Sequence, residues 1–351
     1  SALLTIMAMS VSIFVLLGVE HIRSQSKESF NSTISGADLI VGARTGSLNL
    51  LLYSVFRLGS PTNNIDWKTY QYVSANPKVA WSIPISLGDS HKGFRVMGTT
   101  TDYFKYFSYG KKRQLTFTHG KPFAKVFDVV LGSQVAKTLG YQLGDKIVLA
   151  HGIGKTSFSL HNNSPFEVAG ILSATGTPVD QTVHVSLQGI KAVHTDLKKH
   201  IETYGRALTS EQLSELHPKT ITAFMLGLTS RMATFGVQRD INNYRQDPLT
   251  AILPGVALAE LWQMVGLLEN TLRLISGLIL ISALLGLSAM MLASIKERER
   301  EIHLLRVIGA PAFFLFLLIQ LEALLISFMS MLIGTTSLYL CLIMTRDLLA
   351  T

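Results

Sequence analysis

Residues 149–160, LAHGIGKTSFSL, place Gly154, Lys155 and Thr156 in the order used by loops that cradle nucleotide phosphates. Such a loop needs a first glycine five positions before the second, because successive backbone N–H groups must curl around the phosphates. Leu149 occupies that position. The loop should also leave a buried strand and open an apolar helix, whereas TSFSLHNN alternates like a strand and then turns polar. No acidic motif follows an apolar strand to hold magnesium. Nucleotide hydrolysis is not expected of this chain.

The other reactive residue types point the same way. His194 and His200 are six apart and fall on different faces of a helix, with no cysteine or close His-x-His to support them. Metal binding needs two or three convergent donors, so no metal ligand is assigned. Neither a nucleophile elbow nor an HExxH pair occurs, and no catalytic residue is assigned. The single cysteine, Cys341, excludes an internal disulfide framework. The net charge of +8 is spread thinly, without arginine–aromatic interleaving, and nucleic acid is not expected as a partner.

Three groups of residues remain, and each depends on the element that carries it. The charged fraction of 15% is well below the roughly 25% of soluble domains. Stretches 2–19, 274–293 and 313–344 are apolar enough to cross a bilayer, which takes about 20 residues. The chain divides into a transmembrane helix at 2–19, an outer domain at 20–270, a second span at 271–293, a short loop at 294–311 and a third span at 312–345. The short loop carries Lys296, Arg298, Arg300 and Arg306, which marks it as cytoplasmic. The large domain then faces outward. Short β-branched runs such as DVVLGS, DKIVLAHG, FEVAGIL and TVHVSL read as strands, and LQGIKAVHTDLKKHIETYG and TSEQLSELHP read as helices. The expected fold class is an α-helical transmembrane protein with a large mixed α/β extracytoplasmic domain.

The first group is the loop itself. Its charges alternate so that Lys296–Glu299, Glu297–Arg300 and Arg298–Glu301 are opposite at i,i+3. Each pair adds a few tenths of a kcal/mol (~0.2–0.5) to a helix continuing out of the membrane. Ile302, Leu305 and Ile308 fall on one side, and Gly309 followed by Pro311 stops the run. On charge alone this reads as a solvated positive-inside loop or as a stiff docking lever. The second is Glu322, ten residues into the third span and so about 15 Å deep. A carboxylate there costs on the order of 2–4 kcal/mol facing lipid, so it should face other helices. It reads as a structural contact to the hydroxyls of Ser10, Ser12, Ser282 or Ser288, with a proton or ion site as the alternative. The third is the apolar run 46–59, with Leu51, Leu52, Tyr53 and Phe56, too short to span. It reads either as a core helix or as an interfacial, substrate-contacting one.

Three stretches carry a family resemblance: ASIKEREREIHLLRVIGA (293–310), LIQLEALLISFMSMLIG (318–334), and DVVLGSQVAKTLGYQLGDKIVL with FEVAGIL after it. They resemble the MacB/FtsX/LolC-LolE type of ABC transporter permease, also called the type VII or mechanotransmission class. The resemblance implies a periplasmic core domain and a multi-pass protein of the bacterial inner membrane. It also implies a fourth span beyond Thr351 and a basic amphipathic segment before Ser1. No cofactor is implied in this chain, with ATP and magnesium held by a separate ATPase subunit. Glu297, Arg298, Arg300, Glu301, Leu305, Arg306 and Gly309 would dock that ATPase. A second permease copy or paralogue, a periplasmic partner protein and the lipid bilayer are the other implied partners. Its substrate would be lipophilic, a peptide or a lipoprotein, or it would regulate a periplasmic protein. A membrane-anchored sensor or scaffold without an ATPase, metal-linked or not, is the competing reading.

Overall fold

A computed structural model describes residues 2–33, 35–151, 165–194 and 216–349. Gly154–Thr156, the TSFSL strand, His161, His200 and residues 209–215 of the expected TSEQLSELHP helix lie outside the described residues. The chain forms two units, Glu28–Trp262 and Ser1–Lys27 with Gln263–Thr351.

The first unit is built on one mixed sheet. Its main strands are β1 (Leu39–Ala43), β2 (Val79–His91), β3 (Phe94–Thr99), β4 (Phe117–Gly120), β5 (Asp128–Leu131), β6 (Phe166–Leu172), β7 (Thr182–Ser186), β8 (Ala223–Leu228) and β9 (Leu249–Ile252), and two short strands, Lys146–Ile147 and Ala150–His151, pair with β6 and β2. The main strands lie in the order β9-β1-β8-β2-β3-β7-β5-β6-β4. The β7–β3 and β5–β6 pairs are parallel, and the other neighbours are antiparallel. Alternation assigns the faces. In β1, Ile40 joins one core with Met225 of β8, while Leu39 and Val41 join a second with Phe224 and Leu226. Each such buried side chain contributes about 1.5–3 kcal/mol. A third core gathers Val129, Leu131, Phe166, Val183 and Val185.

Short helices cover these faces: α2 (Ser47–Leu51), α3 (Trp67–Ser74), α4 (Asp102–Tyr106), α5 (Ser133–Leu139), α6 (Leu187–Val193) and α7 (Thr234–Asn242). Helix α5 ends at Gly140 in a left-handed conformation (φ 70), as the TLGYQLGD spacing predicts. Helix α2 runs into a π-helical turn, Leu52–Phe56, closed by Arg57 at φ 60.

The second unit is helical. Ala2–Ser32 forms α1, Pro254–Glu297 forms α8, Glu299–Val307 forms α9 and Ala312–Leu349 forms α10. Helix α8, at 44 residues, is about 66 Å long. Among the described residues, two helical stretches, Pro254–Glu297 and Ala312–Met344, are long and apolar enough to cross a membrane; the apolar stretch of α1, Thr5–His21, is shorter. Leu278, Leu285, Phe313 and Phe328 expose their side chains, as lipid-facing residues do. Helices α1 and α10 approach closely at Gly334, where a Cβ would lie 2.9 Å from the Ser10 carbonyl oxygen and 3.1 Å from Ile13. The Ser10 hydroxyl donates to the Ser330 carbonyl at 3.2 Å beside this contact.

Candidate functional site

The charged loop folds differently from a continuous lever. Helix α8 stops at Glu297, and Arg298 leaves helical geometry (φ −97, ψ 16) before α9 begins. This break runs through the expected i,i+3 pairs, and among the described residues none of the three forms an ion pair. Instead Arg298 Nη1 lies 3.5 Å from Glu322 Oε2 on α10. His303 lies 3.9 Å from Glu299 one turn before it, both exposed, a pair worth a few tenths of a kcal/mol (~0.3–0.5) at most.

The far end of α9 follows the sequence signal closely. Gly309 takes φ 100, its N–H donates to the Arg306 carbonyl at 3.1 Å, and the Ala310 N–H donates to Leu305 at 3.0 Å. These two bonds make a Schellman cap, which needs a residue tolerant of the left-handed region. Pro311 then prevents the helix from continuing.

Between the end of α8, α9 and the first turns of α10 lies a cavity of about 310 Å³. Met291, Ile295, Ile302, Leu305, Phe316 and Ile319 supply its apolar lining, and Arg298, Glu301, Arg306 and Glu322 its polar part. The sequence reading put Ile302, Leu305 and Ile308 on one face. The structure divides them: Ile302 and Leu305 turn to the cavity, whereas Ile308 is 82% exposed with Leu304 (63%) and Val307 (84%). Arg300 is exposed as well. Spacing alone does not separate Leu304 and Val307 from the cavity-facing residues, because α9 carries two apolar stripes.

Glu322 also departs from expectation in its partner. Ser12 and Ser288 donate to the carbonyls of Ala8 and Leu284 in their own helices, and Ser10 to Ile6 and Ser330. The carboxylate pairs with Arg298 because α9 folds back beside the first three turns of α10. Glu322 is thereby level with the end of α8.

In the sheet unit, Leu51, Tyr53 and Phe56 are buried in the core and Leu52 is packed against it. The 46–59 run is the core helix of the two sequence alternatives, and these residues offer no lipid- or substrate-facing surface. The histidines are dispersed. His91 bridges the Val148 carbonyl (2.7 Å) and the Tyr141 hydroxyl (2.9 Å), and burial lowers its pKa. His194 lies 3.4 Å from Asp89. His184 is fully buried, and desolvation, with the nearby Arg57 charge, lowers its pKa to about 3. Among the described residues no three His, Cys, Asp or Glu side chains gather as a metal would require.

Residues 2–244 match the family model of a MacB-like periplasmic core domain, and residues 273–350 that of an FtsX-like permease C-terminal domain. The periplasmic region of MacB from Actinobacillus actinomycetemcomitans is similar at 11% identity and TM-score 0.40, covering 64% of this chain and 94% of that one. The extracellular domain of the noncanonic ABC-type transporter YknZ from Gram-positive bacteria is similar at 9% identity and TM-score 0.34, covering 61% and 98%. Among curated proteins, none matches the chain by sequence.

Proposed function

Since the chain belongs to the MacB/FtsX type of ABC transporter permease, we propose that it couples ATP hydrolysis in a separate ATPase subunit to movement of its periplasmic domain. Members of this family are inner-membrane proteins with a periplasmic domain. In this reading α8 and α10 cross that membrane, the sheet unit is periplasmic and α9 is cytoplasmic. A second permease copy completes the assembly, and the moved cargo is lipophilic, a peptide or a lipoprotein.

The observation that carries the reading is the outward face of α9. Leu304, Val307 and Ile308 expose an apolar strip beside the exposed Glu299, Arg300, Glu301, His303 and Arg306. Such a strip on a short, rigidly capped helix suits docking into a groove of a partner. The cavity-facing residues, Ile302 and Leu305, tie the same helix to α8 and α10. A push on α9 is thus passed to α8, a single helix from Pro254 to Glu297.

Co-purification of the ATPase with the chain at moderate salt tests this. Val307→Asp with Ile308→Asp should weaken recovery at least tenfold, since burying each apolar side chain contributes about 1.5–3 kcal/mol. Reversing Glu297 and Glu301 to Lys should weaken it less if those charges lie at the rim. Full ATPase recovery and unchanged activity in the double aspartate chain would move the sensor reading ahead.

A further inference from the structure

The apolar strip of α9 leaves the opposite face of that helix turned to the cavity of about 310 Å³ between α8 and α10. Met291 and Ile295 line it from the last turns of α8, and Phe316, Leu318 and Ile319 from the first turns of α10. These residues stand where two long apolar helices meet the charged loop. Phe316 and Leu318 are exposed, so protein does not close the apolar side. With α8 and α10 as spans, that side is open to the bilayer, and lipid chains cover it.

Four charged residues line the same cavity: Arg298, Glu301, Arg306 and Glu322. Arg298 and Glu322 pair with each other at 3.5 Å. Among the described residues the other ion pair of this region joins His303 to Glu299, and Glu301 and Arg306 belong to neither. They lie five residues apart on α9, about 7.5 Å along its axis. The cavity thus presents one unpaired negative and one unpaired positive charge beside an apolar lining. A purely anionic ligand would balance Arg306 and set its charge against Glu301, and a purely cationic one would do the reverse. A ligand with one charge of each sign satisfies both.

We propose that this cavity binds a zwitterionic phospholipid with a primary ammonium, of the phosphatidylethanolamine type, from the cytoplasmic leaflet. Its phosphate accepts from the Arg306 guanidinium, and its ammonium donates to the Glu301 carboxylate. An acyl chain covers Phe316, Leu318 and Ile319. Phosphatidylcholine fits less well, because a quaternary ammonium has no N–H to donate, and phosphatidylglycerol offers no cation to Glu301. The site rests on α9 being the cytoplasmic helix between two spans. It adds a lipid to the coupling path, since the headgroup fills the space between α9 and the two helices that α9 pushes.

The test uses the full chain, delipidated in detergent and titrated with dioctanoyl phosphatidylethanolamine, phosphatidylcholine or phosphatidylglycerol. Native mass spectrometry reads the bound fraction. Phosphatidylethanolamine should bind one per chain and about fivefold to tenfold tighter than the other two, a low value for charge-assisted bonds because both side chains are partly solvated. Arg306→Gln and Glu301→Gln should each lose that preference, and Glu301→Gln should shift it towards phosphatidylglycerol. Arg306→Lys keeps the charge and should retain the preference. Inorganic phosphate should not displace the lipid, because it gains nothing from the apolar lining. No ATPase is present, and the Val307→Asp, Ile308→Asp chain should bind the lipid as the wild type does, so this result stands apart from ATPase docking. Equal binding of the three lipids, a wild-type preference for phosphatidylglycerol, an unchanged preference in both glutamine variants, or displacement by phosphate would each overturn the proposal.

Discussion

Acidification should destabilise the sheet unit through His184 by an amount that can be worked out in advance. The imidazole is fully buried in the neutral form, with its pKa lowered to about 3 by desolvation first and by the Arg57 charge second. In the unfolded chain it titrates near 6.5. The folded state thus resists a proton that the unfolded state takes up, so stability is full above about pH 6.5 and falls as the pH drops towards about 3. Between pH 7 and pH 5 the loss is about 2 kcal/mol, and it barely changes whether the folded pKa is 2 or 4. For a unit of this size that is about 4–8 °C in thermal midpoint. Asp180 is the acid whose charge reaches the neighbouring Tyr103. His91, whose pKa burial also lowers, adds in the same direction. The assay is tryptophan-detected unfolding at pH 7, 6 and 5, comparing wild type with His184→Gln and His91→Gln. His184→Gln should flatten the slope by the stated amount even though it lowers stability at pH 7. A wild-type midpoint that holds constant to pH 5, or a slope unchanged in His184→Gln, would refute the reasoning.

The Arg298–Glu322 pair is partly exposed, with side chains 54% and 31% accessible, so a double-mutant cycle should give a coupling below about 1 kcal/mol. Glu322→Gln should accordingly be nearly silent in expression and thermal stability; loss of transport with normal expression would instead assign the carboxylate an ionisable role. Gly334→Val places a side chain where even a Cβ meets the Ser10 carbonyl at 2.9 Å. It should cost about 1–3 kcal/mol and lower the yield of a disulfide between cysteines introduced at Ser10 and Ser330, which meet beside this glycine, and an unchanged yield would mean that α1 and α10 do not pack through it.

Two long apolar helices and the local stops were legible in the sequence because they rest on composition over many residues and on a few neighbouring ones. The runs that become α8 and α10, the Gly140 cap on α5 and the Gly309-Ala310-Pro311 stop each follow from a few neighbouring residues. None of them requires knowledge of the fold. The missing phosphate-loop glycine at Leu149 was equally plain. What local pattern does not carry is which side of an element meets which neighbour. The GSLNLLLYSVFRLG run is apolar on all sides, a property shared by a core helix and an interfacial one. Only packing under the sheet decided that Leu51, Tyr53 and Phe56 face inward. The partner of Glu322 lies beyond local pattern for a related reason: α9 packs beside the first turns of α10, and Arg298 reaches the carboxylate from there. Arg57 is the clearest case. In sequence it is one basic residue flanking an apolar run, indistinguishable from a surface charge. Its burial beside Tyr103 and His184 comes from strands and helices 46 to 127 residues away in the chain. A charge's surroundings are set by the groups around it in space, and those are assembled only when the sheet closes over the π-helical turn.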